Sequence, residues 1–356
     1  MFDATKMREI YDDERTIKAL TKLIELEKHL STGFYKTHDA IRAMILAVAT
    51  RSSVLFVGPP GVAKSQMVRR LCTLTGVLQS VEAKGSSGEI VRRGDYFEYL
   101  LSPFTEPTEL FGGFKLESLK AGVERMERYD DNMIHNCRVV FLDEIFNASN
   151  AILNALLALM NERLFHDRGE IKRARLQTLF AATNQIPTDT GLRAVYDRLV
   201  IRCPVNDVDP EPAELNGLMD KAWQHPPDVP ADGALDGLFE AVEEMNTQVL
   251  EPARPRLWNQ DPDNTDLKAL TYIVNYAKKV PLGSFSNRRI VKIAETLVIQ
   301  RLLRAVREGS LGDPRLNLSD LEIVWTYFLD DTERLEADHV SHFESVYGLL
   351  KRETAA

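Results

Sequence analysis

Lys64 and Ser65 end a turn rich in glycine and proline, and their side chains could bind a phosphate group and a divalent cation. The turn and the residue after it are Gly58, Pro59, Pro60, Gly61, Val62, Ala63, Lys64, Ser65 and Gln66. An apolar run at 53–57 precedes the turn, and a helical pattern over 64–74 follows it. In such a strand–turn–helix unit, main-chain N–H groups converge on the anion, the lysine reaches the outer phosphates and the serine hydroxyl binds Mg²⁺. The residues therefore predict a nucleotide-binding phosphate loop.

Ala63 departs from the usual pattern of these loops, which place glycine directly before the lysine. We expect the alanine Cβ to be tolerated if the local φ stays negative, because the N–H donor is kept in either case. The alternative is an ordinary strand-to-helix turn that happens to contain glycine and proline. The lysine–serine pair and both flanking patterns favour the phosphate loop.

Two further apolar runs end in the polar side chains that nucleotide hydrolysis uses. The run at 139–142 leads to Asp143 and Glu144, and the run at 179–182 leads through a threonine to Asn184. Ligands of open α/β sheets lie where the strands end, so we expect these side chains to lie close together. Asp143 would hold Mg²⁺, Glu144 would polarise the attacking water, and Asn184 would orient that water. An apolar strand ending in Asp-Glu is common. It indicates a catalytic role here because it lies downstream of the phosphate loop.

Length and composition set the class of protein to expect. A chain of 356 residues can hold two domains, and a formal charge of −9 gives no sign of a nucleic-acid or membrane surface. The cysteines Cys72, Cys137 and Cys203 are far apart and lack metal-site spacing, which indicates a reducing compartment. The apolar run at 43–50 is too short to span a bilayer, and the N-terminus lacks a signal pattern. We expect a soluble, cytoplasmic protein.

The elements that position these side chains divide the chain into three parts. Residues 1–32 predict one amphipathic helical segment, 33–205 an α/β nucleotide-binding core, and 206–356 a purely helical domain. Within the helical domain, helices are predicted at about 266–278, 287–307, 319–330 and 333–350. The helix before the first strand is predicted at 37–49, so Tyr35 and His38 near its start could flank a nucleotide base. For His38, a helix-start histidine without a ligand role is the alternative.

Two charged stretches remain between the strands. Residues 164–177 predict a hairpin that carries Arg168, Lys172, Arg173 and Arg175. Residues 112–136 form a longer charged excursion, and such excursions are usually either functional or disordered.

The order of these motifs resembles that of AAA+ ATPases of the MoxR family, and most closely its RavA branch. The matching stretches are 33–65, 106–112, 141–145, 151–165, 180–184 and 196–202. Ala63 is itself a feature of RavA-like phosphate loops. The likeness is good over 33–203, loose over 204–330 and slight at both ends, and we expect the C-terminal extension of RavA to be missing.

The resemblance implies a five-stranded parallel αβα core, a helical lid, and a ring, usually hexameric, with Mg²⁺ and ATP bound between neighbouring subunits. Arg198 matches the arginine that one subunit inserts toward its neighbour's γ-phosphate, and Arg193 is the nearby alternative. Arg288 and Arg289, at the start of a predicted helix, match the second sensor, and Arg288 is favoured. The alternative is that Arg288 and Arg289 are surface arginines at a helix start without a sensor role.

Three functions follow from the resemblance and the residues. The favoured one is an Mg²⁺-ATP-hydrolysing ring that remodels or activates client proteins, reached through a partner with a von Willebrand factor A domain. In that reading the hairpin and the 112–136 stretch face the ring axis, and Arg168, Lys172, Arg173 and Arg175 grip an acidic client segment; a solvated turn is the alternative. A nucleic-acid or transcription-linked motor is disfavoured by the acidic charge. A nucleotide-gated scaffold with little hydrolysis is disfavoured by the complete catalytic set.

Overall fold

The computed structural model of the chain describes residues 4–79, 93–115, 128–167, 170–187, 189–223, 234–258, 265–279, 285–312, 315–330 and 334–353. The strands, in chain order, are β1 (Ser53–Val57), β2 (Leu78–Gln79), β3 (Arg93–Gly94), β4 (Tyr96–Leu100), β5 (Val139–Asp143), β6 (Leu164–Asp167), β7 (Glu170–Arg173), β8 (Thr178–Thr183) and β9 (Ile201–Pro204). The helices are α1 (Ala4–Asp12), α2 (Glu14–Ser31), α3 (His38–Thr50), α4 (Lys64–Leu74), α5 (Pro107–Phe111), α6 (Asn150–Glu162), α7 (Arg193–Tyr196), α8 (Pro212–Trp223), α9 (Leu238–Glu244), α10 (Glu251–Leu257), α11 (Thr265–Lys278), α12 (Asn287–Glu308), α13 (Leu318–Tyr327) and α14 (Ala337–Glu353). A π-helical segment, Met245–Leu250, joins α9 to α10.

The central sheet has five parallel strands in the order β4-β5-β8-β1-β9. Val57 at the end of β1 lies opposite Thr183 at the end of β8, and Leu100 lies opposite Asp143. The paired strands therefore end at the same level along one edge of the sheet. This parallel sheet, followed by helices, confirms the predicted fold class. The predicted hairpin is also present, as the antiparallel pair β6 and β7.

The two faces of the sheet belong to two separate hydrophobic cores, because successive side chains of a strand point to opposite sides. On β1, Val54 and Phe56 pack into the core that also contains the first helices and the helices after residue 205. Leu55 packs into the second core, which α6 covers with its apolar side. Burial on both faces explains why these strands are continuous apolar runs in the sequence.

The N-terminal segment contains two helices, so the prediction of a single helix was wrong. Asp13 separates them: its backbone is extended, and its carboxylate accepts a hydrogen bond from the main-chain N–H of Arg15. The N-cap interaction stabilises the start of α2 and ends the preceding helix. Apolar residues of α2, among them Leu23 and Leu30, belong to the same core as the sheet face above. The domain boundaries at residues 32 and 205 stay a prediction, and the core is continuous across both.

In the described part of the region after residue 205, helices are the only regular elements apart from an isolated bridge residue at Trp258. The predicted helices are confirmed as α11 to α14, with ends shifted by a few residues. Local signals fix their ends: Ser286 caps the start of α12, and Gly309 follows its last residue with a φ of 72°. Asn317 and Asp320 form a capping box at the start of α13. None of the described helices combines the length and apolar character needed to cross a lipid bilayer.

Candidate functional site

The loop between β1 and α4 is fixed by main-chain contacts with the neighbouring strands. The Gly58 N–H donates to the Thr183 carbonyl at 3.0 Å, and the Val205 N–H donates to the Val57 carbonyl at 2.8 Å. A Cβ on Gly58 would lie 1.9 Å from the carbonyl oxygen of Val205, so only glycine allows this approach. Gly61 has a φ of +94°, a conformation that favours glycine. Steric constraints on the backbone thus explain why Gly58 and Gly61 are both glycine.

Ala63 lies in the left-handed region, with φ +61° and ψ 18°. The condition of a negative φ, under which the alanine Cβ was expected to be tolerated, is therefore not met. The chain must reverse here to enter α4, and the Ala63 carbonyl accepts the N–H of Met67 at 3.0 Å in the first helical turn. A left-handed conformation is unfavourable for alanine by roughly 1–2 kcal/mol, which explains why glycine is usual at this position. The loop therefore holds backbone strain directly beside Lys64.

Lys64 begins α4 and is only 7% exposed. Its Nζ donates to the carbonyl oxygens of Gly58 at 2.5 Å and Pro59 at 3.2 Å. Burial lowers the pKa of the ammonium group, and the charges of Asp143 and Glu144 oppose that shift. The lysine charge is therefore held inside the loop by the loop's own main chain. Ser65 is half-buried beside it, and Gln66 is exposed.

Asp143 and Glu144 stand at the end of β5, as predicted from the apolar run. The Asp143 carboxylate accepts the N–H of Glu144 at 3.0 Å. Glu144 is left-handed, with φ 52° and ψ 48°, and its Oε2 accepts a bond of 3.4 Å from Asn147. Burial and the neighbouring charge of Asp143 raise the pKa of Glu144, while Lys64 lowers it. A carboxylate with a raised pKa is better suited to accept a proton than an ordinary surface glutamate.

Asn184 follows β8, which lies between β5 and β1 in the sheet. Its Oδ1 lies 3.5 Å from the Nζ of Lys64, and the side chain is otherwise exposed. The electrostatic influence of Asp143 and Glu144 on Lys64 places the carboxylates in the same neighbourhood. Residues from three adjacent strand ends thus meet at one edge of the sheet. Such a set can hold a phosphate, a hard cation and a water molecule.

A cavity of about 790 Å³ adjoins the phosphate loop. Its lining comes from four parts of the chain. These are residues 33–37, the loop and start of α4 (Gly61, Val62, Ala63 and Gln66), residues 204–209, and one side of α8. Its volume falls in the range of small-molecule pockets, roughly 300–1,000 Å³. Tyr35 belongs to the lining, whereas His38 is exposed and does not. The structure therefore brings Tyr35 to the cavity and leaves His38 outside it.

The α8 wall of the cavity was not foreseen from the sequence. Three contacts attach α8 to the segment before α3: Lys36 pairs with Glu214 at 2.5 Å, the Tyr35 hydroxyl donates to Glu214 at 3.4 Å, and Lys221 donates to the Thr32 carbonyl at 3.1 Å. A Cβ on Gly217 would lie 2.5 Å from the Tyr35 ring. An isolated glycine inside a helical pattern was the available signal, because it often marks a close approach.

Arg198 is half-buried near the end of the α7 segment. Its Nη1 donates to the Ala194 carbonyl at 2.6 Å. Burial lowers the pKa of Arg198, and the positive charge of Arg288 lowers it further, so these two arginines lie near each other in one chain. Arg193 and Arg288 are both exposed.

Arg289 is buried at 1% exposure, unlike its neighbour Arg288. Its main-chain N–H donates to the Ser286 hydroxyl, and its guanidinium donates to the Phe328 carbonyl and lies 4.7 Å from the Phe285 ring. The guanidinium is thus engaged in joining α12 to the end of α13. These contacts leave Arg288 as the more accessible candidate for a phosphate contact.

The basic residues of the hairpin do not share one environment. Arg168 lies outside the described residues, as do 116–127 of the charged excursion. Lys172 lies 4.0 Å from Asp130, and Arg173 is exposed. Arg175 pairs with Asp95 at 3.0 Å, next to the start of β4. Arg175 is therefore already neutralised by a carboxylate of its own chain.

Comparison with known proteins adds the following findings. A family model described as the MoxR domain in the MoxR-vWA-beta-propeller ternary systems matches residues 21–236. An uncharacterised protein of Methanocaldococcus jannaschii is 32% identical over 314 residues, covering 88% of this chain and 71% of the relative. A second uncharacterised protein of that organism is 29% identical over 229 residues, covering 64% of this chain and 55% of the relative. The solved structure of a proposed ATPase from Cytophaga hutchinsonii shares the fold, with a TM-score of 0.61, 14% identity, and coverage of 95% of this chain and 96% of that chain.

Proposed function

The chain belongs to the MoxR family of AAA+ ATPases, within the MoxR domains of MoxR-vWA-beta-propeller systems, and from this membership we propose that it hydrolyses Mg²⁺-ATP to remodel or activate client proteins. The observation that carries the proposal is the meeting of Lys64, Asp143, Glu144 and Asn184 beside a nucleotide-sized cavity. A pure binding module would have no use for a carboxylate with a raised pKa near the lysine of its phosphate loop.

The oxygen atoms of this edge fit Mg²⁺. The Ser65 hydroxyl and the Asp143 carboxylate are hard ligands of the kind that Mg²⁺ takes, usually one or two from the protein with the rest from phosphate and water. Bound Mg²⁺ would neutralise charge on the phosphate oxygens. In this proposal, Lys64 binds the outer phosphates, Glu144 accepts the proton of the attacking water, and Asn184 orients that water. The cavity lined by Tyr35 takes the base.

The proposed assembly is a homo-oligomeric ring, most simply a hexamer, in which Arg198 of one subunit faces the ATP of the next. An arginine supplied in this way can increase the rate by about 10³–10⁵. The partial exposure of Arg198 supports the proposal, since a fully buried guanidinium could not reach a neighbour. Arg193 remains the alternative in the same segment, and Arg288 is the proposed second sensor.

The proposed partner is a protein with a von Willebrand factor A domain, because the matching family is defined by systems that contain one. The RavA-like character of the chain belongs to the same proposal and is supported by Ala63 in front of Lys64. Of the basic hairpin residues in the described part of the chain, Arg173 remains the best candidate for client contact, because Arg175 is paired with Asp95 and Lys172 lies 4.0 Å from Asp130.

Steady-state ATPase activity across protein concentration tests the proposal. We expect Glu144→Gln to keep ATP affinity but to lose about 10²–10⁴ in turnover, since it removes the general base. Glu162→Gln, at an exposed position of α6, is the matched control. The specific activity of the wild type should rise with concentration as the ring forms. Unchanged turnover in Glu144→Gln would refute the catalytic assignment, and concentration-independent turnover would refute the ring.

A further inference from the structure

Asp330 connects the helical region after residue 205 to the strand end that precedes it. It lies just beyond α13, and its Oδ1 accepts two hydrogen bonds from a distant part of the chain. The Tyr196 hydroxyl donates at 2.5 Å, and the Nη1 of Arg202 donates at 2.6 Å. The side chains of Arg202 and Asp330 are only 6% and 15% exposed. An ion pair this well shielded is held in one geometry rather than fluctuating in solvent.

Arg202 fixes the preceding segment at several points. Its guanidinium stacks on the Tyr196 ring at 3.8 Å. Its Nη2 donates to the Tyr196 carbonyl at 3.0 Å, and its Nε donates to the Leu199 carbonyl at 3.0 Å. Arg202 itself is fixed, because it lies on β9 opposite Leu55 of β1. One guanidinium, neutralised by Asp330, therefore supports the course of the chain from 196 to 199, alongside the main-chain hydrogen bonds of Arg198 and Leu199.

Arg198 lies inside that segment. Its guanidinium bonds only locally among the recorded contacts of the described residues, to the Ala194 carbonyl four residues earlier. The direction of the Arg198 side chain therefore depends on the backbone that Arg202 and Tyr196 hold. Without Asp330, the Arg202 charge would be left buried without its ion-pair partner, and the contacts of Arg202 with Tyr196 and Leu199 would no longer be held in one geometry.

The same end of the helical region also carries the proposed sensor. Two residues before Asp330, the Phe328 carbonyl accepts a hydrogen bond from the guanidinium of Arg289. Arg289 is next to Arg288 in the sequence. Arg288 lies close enough to Arg198 to lower its pKa. A shift of α12 and α13 would therefore move Asp330 and Arg288 together, and Asp330 is hydrogen-bonded to Tyr196 of the Arg198 segment.

We propose that Asp330 is a positioning residue for Arg198: through Arg202 and Tyr196 it aligns the arginine that serves the neighbouring subunit, and it transmits the position of the helical region to that arginine. The inference rests on the proposed function, because it requires Arg198 to act on an adjoining copy. It assigns a role in the neighbour's reaction to a residue that binds Tyr196 and Arg202 of its own subunit.

Subunit mixing tests this inference. Asp330→Asn removes the charge with little change in shape, and Tyr196→Phe removes one hydrogen bond while keeping the ring beneath Arg202. Each variant alone should lose about ten- to a hundredfold in kcat with a nearly unchanged KM for ATP, the range expected from misplacing a reacting group by about 1 Å. Asp338→Asn, an exposed position of α14, is the matched control and should behave as wild type.

The decisive measurement adds excess Glu144→Gln subunits, which cannot hydrolyse ATP but carry an intact Arg198. The turnover of Asp330→Asn should then recover to the same extent as that of Arg198→Ala, because the neighbour supplies a well-placed arginine. Rescue of Arg198→Ala without rescue of Asp330→Asn would show that Asp330 serves its own subunit and would overturn the inference. A failure to rescue Arg198→Ala would refute the trans arrangement of the proposed function, and the inference with it. Far-ultraviolet circular dichroism of Tyr196→Phe and Asp330→Asn separates misfolding from misplacement.

Discussion

The amino edge of the central sheet, where its strands begin, and the carboxyl edge, where they end, both collect charged side chains. At the amino edge these charges pair with one another. Asp95 lies 3.1 Å from Arg138 and 3.0 Å from Arg175, and Arg138 also contacts Glu240 of α9. Glu243 of α9 accepts a bond of 3.0 Å from Gln177. The amino edge is thus a network that ties strand starts to the helical region.

At the carboxyl edge the charges are kept apart. Within the described residues, neither Asp143 nor Glu144 forms an ion pair within 4.0 Å, and main-chain carbonyls hold Lys64. Ala63 and Glu144 are both in the left-handed region, which is unfavourable without support from the surrounding fold. Charges that satisfy each other stabilise a protein and are chemically inert, whereas charges held apart remain available to a ligand. The comparison predicts that changes at the two edges affect different measurements.

Lys64→Ala should have the largest effect and should affect function alone. We expect kcat/KM for ATP to fall by about 10²–10³, because a charge aimed at the phosphates is lost. The free energy of unfolding should stay the same or rise, since burial already lowers the pKa of Lys64 and its charge is unfavourable in the absence of ligand. Lys28→Ala, at a largely exposed lysine of α2, is the control for activity and melting. A large loss of stability in Lys64→Ala would contradict the contrast between the edges.

Gly217→Ala should give the next largest effect, confined to nucleotide affinity. The added Cβ meets the Tyr35 ring, so either the ring or α8 must shift, and both line the cavity. We expect the KM for ATP to rise about tenfold with kcat nearly unchanged, as for a typical overpacked contact. Gly348→Ala is a matched control, because that glycine also lies in a helix and has open space around it. An unchanged KM would show that the base does not use this end of the cavity.

Asp95→Ala should affect stability alone. The substitution removes the carboxylate shared by Arg138 and Arg175, and we expect the free energy of unfolding to fall by about 1 kcal/mol. The difference from wild type should shrink in high salt, which screens partly exposed charges. Denaturant titration at two salt concentrations measures it, with the exposed Asp12→Ala as control. A change in ATP turnover at unchanged stability would contradict the proposed division between the edges.

Ala63→Gly should have the smallest effect. Relief of the left-handed alanine is opposed by the greater freedom of glycine in the unfolded chain, so we expect a gain of about 0.5 kcal/mol in stability. Ala151→Gly, at an exposed position near the start of α6, should instead lose up to about 1 kcal/mol. Thermal melting of both variants measures the two effects. Equal losses in the two variants would show that Ala63 is not strained.

Local patterns sufficed to place most residues of the candidate site on the fold. The phosphate loop, Asp143, Glu144 and Asn184 were predicted because each follows an apolar strand and parallel strands end at the same edge. The helices after residue 265 were predicted because their apolar periodicity and caps are local. The single N-terminal helix was predicted wrongly because the capping role of Asp13 was overlooked, although that signal is also local.

The sequence by itself predicted the candidate site residues and determined which segments become strands or helices, because both are encoded over a few neighbouring positions. Only the tertiary structure decided the positive φ of Ala63, the contact of Gly217 with Tyr35 and the bond from Tyr196 to Asp330, 134 residues away. These features depend on how distant segments pack around the loop and the sheet. Periodicity carries no information about such distances, since many packings share the same pattern of apolar residues.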